Sequence, residues 1–448
     1  MSVHSNAGID GMQGEAVRLR EQEKEQEKAR RQLYGRVTWR LVPFFCLCYL
    51  AAYLDRINVG LAKLQMQQDL GFSETVYGLG AGLFFVGYIL FEVPSNLVLA
   101  RMGARLWIAR IMITWGLISG ATMFVSTPMQ FYVLRFLLGV AEAGFFPGVM
   151  LYLTYWYPTR MRSKIMALFL IGLPLASLVG APLSGWIMTA FAGVRGYAGW
   201  QWLFFLEAIP SVLLGLLVFV YLPNGIESAK WLSPREKGLL RGNLDSDRLA
   251  ESHHSLWAAL SSGRVWLLGM IDLSLMMSTY AISFWLPTII REAGVKSTAD
   301  IGLLTAIPNA FAIAALLLCG ISSDRRRERR WHIVLPALAG AAAMALSTLY
   351  TGHVFATVLL FSLATAGIMA AFPVFWCLPA TFLTGPAAAA GIALIASIAN
   401  LGGFAATYVL GWLKDLTHSS STGLLLFAAC LVAGSLLTLT LPKAVVNR

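Results

Sequence analysis

The sequence predicts an all-α membrane protein, with twelve transmembrane helices grouped as two pseudo-symmetric six-helix bundles. Three observations carry that prediction. Hydrophobic residues make up 57% of the 448 positions and charged residues only 13%. With the 41 glycines added, the apolar share reaches roughly two-thirds, above the globular average. Unbroken apolar stretches of about 20 residues, long enough to cross a bilayer as a helix, recur along the chain. The longest polar interruption, 223–264, divides them into six and six. So few charges cannot cover water-soluble domains, and the same composition excludes disorder. A membrane barrel would alternate polar and apolar residues in segments of about ten, which this chain does not do.

Taken in order, residues 1–38 form a polar cytoplasmic tail without the apolar core of a signal peptide. Its repeat, Glu21-Gln22-Glu23-Lys24 then Glu25-Gln26-Glu27-Lys28, reads as a solvated helix of mixed charge. Contact with lipid headgroups through Arg30, Arg31, Arg36 and Arg40 is the sharper alternative. The first bundle, 39–222, holds spans 1 to 6 at 39–62, 76–99, 107–126, 129–152, 164–191 and 200–222. A cytoplasmic linker, 223–264, follows. The second bundle, 265–441, holds spans 7 to 12 at 265–290, 300–322, 332–350, 355–382, 388–412 and 422–441, and 442–448 is a short cytoplasmic tail.

The net charge of +11 is distributed in short loops, which argues for orientation rather than nucleic acid. With the N-terminus inside, cytoplasmic segments hold 27 of the 34 Lys and Arg, including Arg160, Arg162 and Lys164. The other side holds five: Lys63, Arg195, Arg291, Lys296 and Lys414. That asymmetry places both termini in the cytoplasm of a cell whose inner membrane the chain crosses. The five cysteines, Cys46, Cys48, Cys319, Cys377 and Cys430, all lie in apolar stretches and read as small apolar side chains, not as disulfide or metal ligands. No cofactor is expected. Nor is an enzyme, because no metal-spaced His/Cys cluster, paired-Asp motif or Walker loop is present.

Two loops repeat at half-chain spacing. Arg101-Met102-Gly103-Ala104-Arg105 follows span 2, and Gly320-Ile321-Ser322-Ser323-Asp324-Arg325-Arg326-Arg327 follows span 8. In such a loop the glycine lets two helix ends approach, and aspartate and arginines can form a breakable latch. Arg101, Arg105, Asp324 and Arg325 are therefore gating candidates, against the alternative of ordinary positive-inside loops.

Further segments carry a resemblance. They are Tyr53-Leu54-Asp55-Arg56-Ile57-Asn58, Phe91-Glu92-Val93-Pro94-Ser95-Asn96-Leu97, Arg135-Phe136-Leu137-Leu138-Gly139-Val140-Ala141-Glu142-Ala143-Gly144 and Ala399-Asn400-Leu401-Gly402-Gly403-Phe404. With the six-plus-six pattern, they resemble the major facilitator superfamily and, within it, the anion:cation symporters, whose bacterial members import organic acids with protons. The resemblance spans about residues 37 to 441. Two departures stand out: Ala100 where the loop pattern often has aspartate, and Ala406-Thr407-Tyr408 where related chains continue to Gly-Pro-Tyr and bend the helix.

The charges inside spans are informative without the family. An ionisable group at bilayer depth costs about 2.5–3.5 kcal/mol on insertion scales, so it needs a partner or a wet cavity. Asp55 and Arg56 lie in span 1; Arg135 and Glu142 lie on one face of span 4, about 10 Å apart along the axis. An arginine fork binds a carboxylate bidentately, and protonating a competing acid would free it. Arg135 is assigned as substrate ligand, Glu142 as coupling acid, and Asp55 as proton carrier with Arg56 as its switchable partner. Fixed structural ion pairs, Asp55–Arg56 and Arg135–Glu142, are the alternative. The resemblance implies the same roles. Tyr88, Asn400, Tyr53 and Trp376 are secondary substrate candidates, with packing roles open for Tyr88 and Trp376. Glu92 and Glu207 read as structural or gating residues, and Asp272 stays unassigned. Gly180-Ala181-Pro182-Leu183-Ser184-Gly185 faintly resembles a drug-antiporter motif but reads as close helix packing. His332 and His353 read as structural residues with no carboxylate placed beside them.

The expected function is import of a small organic anion, a hydroxylated or aromatic carboxylate, by proton symport with alternating access. The expected partners are that acid, protons and membrane lipid, with no nucleic acid and a monomeric state. A proton-coupled exporter of drugs or metabolites is the alternative.

Overall fold

The structure is a computed structural model that describes residues 6–158, 161, 165, 168, 169, 172–248, 261–379 and 387–443. Arg160, Arg162 and Lys164 of the predicted basic loop lie outside the described residues, as do parts of the linker and the end of the C-terminal tail.

The chain is helical throughout the described spans. Span 1 is the latter part of one helix, Asn6–Leu70, so the tail runs into the membrane segment as one continuous helix. Span 2 is Glu74–Met102, span 3 Ala104–Ala121, span 5 Gly172–Ala190 and span 6 Gly199–Tyr221. Span 4 consists of two helices, Pro128–Glu142 and Phe145–Thr154. Spans 7 to 12 are Gly263–Glu292, Thr298–Arg326, Arg330–Ser347, Val354–Phe375, Ala387–Thr417 and Ser421–Thr440. Eleven of the described helices are long and apolar enough to cross a membrane. The twelfth element, span 9, opens Arg-Trp-His and includes Pro336, which lowers its hydropathy; it packs between spans 10 and 12. Large apolar side chains that face outward, among them Leu117, Leu213, Val220, Leu318 and Phe355, supply the lipid-facing surface.

The packing order has an internal symmetry. In the first half, span 2 packs on span 4, span 1 on spans 5 and 6, and span 3 on spans 4 and 6. Adding six to every number gives pairs formed in the second half: 8 with 10, 7 with 11 and 12, and 9 with 10 and 12. Between the halves, 2 packs on 11 and 5 on 8, again equivalent under that shift. Spans 1 and 7 cross at the centre. There Arg56 meets Tyr280, 224 residues away, and Gly60 faces the backbone of Phe284 one turn further along.

On the face opposite the chain termini, here called distal, the halves are zipped together. Gly185 and Gly302 bring spans 5 and 8 into backbone contact, as Gly78 and Gly411 do for spans 2 and 11. This is the close packing expected of Gly180–Gly185. Span 11 remains one helix through Ala406-Thr407-Tyr408. The linker is docked on the terminal face: Trp231 stacks on Trp156 at 5.8 Å, and Tyr152 donates to the Pro223 carbonyl at 2.8 Å. Arg36 pairs with Glu236 at 2.8 Å, and Arg40 lies 5.2 Å from the Trp231 ring, so these two arginines contact the docked linker.

Candidate functional site

The site is built on span 1, whose residues point in three directions. Successive helical residues are about 100° apart, so neighbours in sequence do not share a face. Tyr53, Ile57, Asn58 and Leu61 line a cavity between the halves. Opposite them stand Ser177 and Ser184 of span 5 and Thr279, Ser283 and Asn309 of spans 7 and 8. Its described lining is hydroxyl, amide and apolar, with no charged side chain.

Arg56 points another way, into spans 2, 4 and 7. Its guanidinium forms an ion pair with Glu142, donates to the Tyr280 hydroxyl at 3.2 Å, and lies over the Phe84 and Tyr88 rings at 5.0 and 5.3 Å. Asp55 points a third way, into the interior of the first half. It accepts hydrogen bonds from Trp115 Nε1 at 3.0 Å, Ser119 Oγ at 2.7 Å and Ser211 Oγ at 2.5 Å. The expected Asp55–Arg56 pairing is therefore not formed, and helical geometry is the reason: the two are adjacent on one helix. Both are buried, Asp55 at 0% exposure and Arg56 at 8%.

Span 4 delivers the other two charges. Thr127 caps it, with Pro128 in the first turn and Gln130 completing a capping box. The helix stops immediately after Glu142. Gly144 then takes φ 86°, a conformation that only glycine adopts freely, and a new helix starts at Phe145. Glu142 thus sits at a break in mid-span, the construction that transporters use to place charge near the bilayer centre. Gly139, one turn earlier, presses against the backbone of Phe84 and lets spans 2 and 4 touch. Arg135, also at 0% exposure, shares Phe84 with Arg56, its Cζ 5.3 Å from the ring. One nitrogen reaches the Arg56 carbonyl at 3.4 Å; Nε and Nη1 have no hydrogen-bond partner among the described residues. The alternative Arg135–Glu142 ion pair is likewise absent: about two helical turns separate the two residues, and the second Glu142 oxygen has no hydrogen-bond partner among the described residues.

Of the secondary candidates, Tyr88 and Tyr53 join this centre; Tyr53 contacts Ser283 across the halves. Asn400 is half-buried and does not line the cavity. Trp376 packs edge-on against Phe372 and Phe375 and does not line it either. Glu207 accepts from Ser184 Oγ at 2.5 Å, so it orients that cavity residue from behind. Arg101, Arg105, Asp324 and Arg325 are exposed and make no ion pair with one another. Gly320 faces open space, so the close helix approach and the latch expected there are not formed. His332, expected without a carboxylate, pairs with Glu328 at 2.8 Å, in the loop just before the helix.

The distal seal was missed by sequence reasoning. Lys63, counted as a loop charge, is at 0% exposure, because the span 1 helix continues past it to Leu70. Its Nζ lies 2.5 Å from Glu74 and 3.7 Å from the Trp285 ring centroid. Glu74 also binds Lys414 at 2.5 Å, and Lys414 binds Glu292 at 2.7 Å. Asp415 accepts from the Glu74 and Thr75 amides at 3.1 and 2.7 Å, capping span 2 from the other half. Arg291 donates to the Leu64 carbonyl. All these links join one half to the other, except Lys63–Glu74 and Lys414–Glu292, which complete the chain of charges within each half.

The profile of the Major Facilitator Superfamily matches residues 45–407. A Pseudomonas putida protein named as a metabolite transport protein, NicT, is 59% identical over 93% of this chain and 96% of its own length. An Agrobacterium vitis protein named as a tartrate transporter is 47% identical over 91% and 94%. A quinolone resistance transporter of Acinetobacter baumannii is 44% identical over 90% and 93%. Among solved structures, a D-xylose–proton symporter superposes with a TM-score of 0.72 at 17% identity, over 90% of this chain and 98% of that one.

Proposed function

We infer cargo and coupling from one premise: the chain belongs to the Major Facilitator Superfamily and is a secondary transporter of that type, not an enzyme. It imports a small organic anion, a hydroxylated or aromatic carboxylate, together with protons across the bacterial inner membrane, as a monomer with both termini in the cytoplasm. The observation that carries this is Arg135: a buried guanidinium with two nitrogens unpartnered among the described residues, beside an Arg56 held by an acid. A buried cation without its counter-ion is costly, and a carboxylate is the group whose geometry fits the fork.

Coupling follows from competition. While Glu142 is ionised it holds Arg56. A proton on Glu142 removes the charge that holds it, and Arg56 and Arg135 then face the incoming carboxylate together. The uncharged cavity on the other face of span 1 suits the hydroxyl or ring portion of the same molecule. Proton and anion thereby favour each other's binding, the thermodynamic condition for symport. The tartrate-transporter name of a relative supports the same substrate class.

The test is Glu142→Gln in proteoliposomes with radiolabelled tartrate. The variant should keep tartrate counterflow and lose accumulation driven by an inward proton gradient. Preserved uphill uptake would remove Glu142 from the coupling. The relative named for quinolone resistance favours a second reading, export against protons. The same vesicles separate the two, because an inward proton gradient fills them with the cargo of a symporter and empties them of the cargo of an exchanger.

A further inference from the structure

Span 7 carries an acid that the centre described above does not use. Asp272 is at 0% exposure, and neither of its carboxyl oxygens has a hydrogen-bond partner among the described residues. Asp55 sets the comparison within the same molecule: equally buried, it collects three donors from two neighbouring helices. Buried polar groups are ordinarily satisfied in this way. Asp272 has no such shell, and an ionised carboxylate without donor or cation is among the costliest groups a membrane interior can hold. In this conformation it is therefore an uncharged carboxylic acid.

Its position matters as much as its isolation. Gly269, Asp272, Met276 and Tyr280 fall within roughly 80° of one another around the helix, so the acid shares a face with Tyr280. Tyr280 stands about 12 Å further along and contacts Arg56. Toward the terminal face, the helix starts at Gly263, about 14 Å away. Asp272 thus lies between the central charge pair and the terminal surface.

The groups around it are few. Tyr280 interacts with it electrostatically. Spans 10, 11 and 12, which pack on span 7, bring Cys377, Tyr408 and Cys430, with charges only at Lys414 and Asp415 on the distal end. Span 8 brings Cys319 and, at its ends, Asp300, Asp324, Arg325 and Arg326. Span 1 brings Tyr49, Tyr53, Arg56, Asp55 and Lys63. Among the described residues no cation is hydrogen-bonded to the acid. Ser274 and Ser278, the nearest hydroxyls along its own helix, donate to backbone carbonyls of that helix.

We propose that Asp272 is a proton-exchange site of the second half. It carries a proton through the distally closed state and gives it to water on the terminal face once the halves part there. The carboxyl O–H bond breaks, the proton leaves on water as hydronium, and the carboxylate stays behind, hydrated; loading is the reverse. This rests on the proton-coupled reading above and adds one proton per cycle to it.

The experiment uses Asp272→Asn, which matches the neutral acid in shape. Infrared difference spectra of the full-length protein in lipid, wild type minus variant at neutral pH, should show the carbonyl stretch of a protonated carboxyl. In vesicles with radiolabelled tartrate and membrane potential clamped at zero, the variant should keep counterflow. Its accumulation ceiling should fall about tenfold for each pH unit of imposed gradient, the share of one proton. An absent carboxyl band, or a ceiling equal to wild type while wild-type uptake follows the gradient, overturns the proposal alone. Wild-type uptake indifferent to the gradient overturns the symport reading itself, and this proposal with it.

Discussion

Replacing Glu74 with Gln removes the anion that stands between two lysines of the distal seal. Lys63 is at 0% exposure and has Glu74 as its carboxylate partner at 2.5 Å. Lys414 keeps Glu292 at 2.7 Å, so the loss falls on Lys63. Breaking a buried pair by neutralising one partner costs about 3–5 kcal/mol, because the remaining charge stays desolvated. The cost applies only while the distal face is closed; once it opens, water reaches Lys63. The ratio of closed to open molecules should therefore drop at least about a hundredfold, at 1.4 kcal/mol per factor of ten. Spin labels at Val194 and Lys296, exposed on the distal loops of opposite halves, would report this by double electron–electron resonance. The variant should populate a longer distance. Adding Lys63→Met removes the stranded cation and should return much of the short-distance population. A Glu74→Gln distribution that superposes on wild type would refute the reasoning, as it would show that the ion network does not bias the closed state.

Arg135→Ala should abolish tartrate binding in purified protein while leaving the melting temperature near wild type; unchanged affinity in a calorimetric titration would remove Arg135 from the substrate site. Asp55→Ala strands three buried donors, each costing about 1–3 kcal/mol, and should lower the melting temperature markedly. Asp55→Asn, which keeps an acceptor, should fall between, and if either variant changed proton coupling at full stability, Asp55 would belong to the coupling machinery after all. Glu236 on the exposed linker is held below the usual carboxylate range by the Ser233 amide, the Ser233 hydroxyl and Arg36. With its folded value depressed, that support is present at neutral pH and lost as pH falls through the lowered value, so amide exchange in the Pro234–Arg248 helix should quicken in acid. An exchange rate flat across that range, after correction for intrinsic chemistry, would contradict it.

The spans and their six-plus-six grouping were readable because lipid imposes apolar length on every crossing, and a residue-by-residue count finds it. Span 9 was found in the same way, as an apolar stretch at 332–350, although its hydropathy is lower than that of the other spans. The four central charges were readable for the same reason: nothing else explains an ionisable residue at that depth. Their partners were not. The choice between Asp55 and Glu142 as partner of Arg56 depends on which face of span 1 each residue occupies, and that reading paired two neighbours that a helix keeps apart. Tyr280, Ser119 and Ser211 carry no signal of their own, being ordinary residues until another helix brings them to a charge. Lys63 was hidden by position. Counted as a loop charge near a span end, it is buried because the span 1 helix runs further than its apolar stretch does. A latch at Asp324 and Arg325 was expected from loop chemistry; in this distally closed structure the charges that join the halves lie at the other face.

The half-chain repeat explains why the coupling charges meet where they do. Arg56 and Tyr280 are 224 residues apart, the separation that also relates Gly60 to Phe284 and Arg101 to Arg325. Two helices related by a two-fold axis touch at equivalent positions only where they cross close to that axis. If the halves rock about it, as the alternating access proposed above requires, displacement grows with distance from the axis. Contacts at the crossing then persist through the cycle, and contacts at the rim must break. Arg56 stands at the crossing, where a charge can exchange partners without the halves separating. Lys63, Glu74 and Lys414 stand at the rim, where their attraction opposes opening. Neutralising a rim charge should therefore move the population, whereas neutralising Glu142 should sever coupling at the same population. The Val194–Lys296 distance measured in Glu142→Gln decides between these roles: a wild-type distribution with uphill uptake lost places the acid at the pivot, and a distribution shifted like that of Glu74→Gln would make it one more part of the seal.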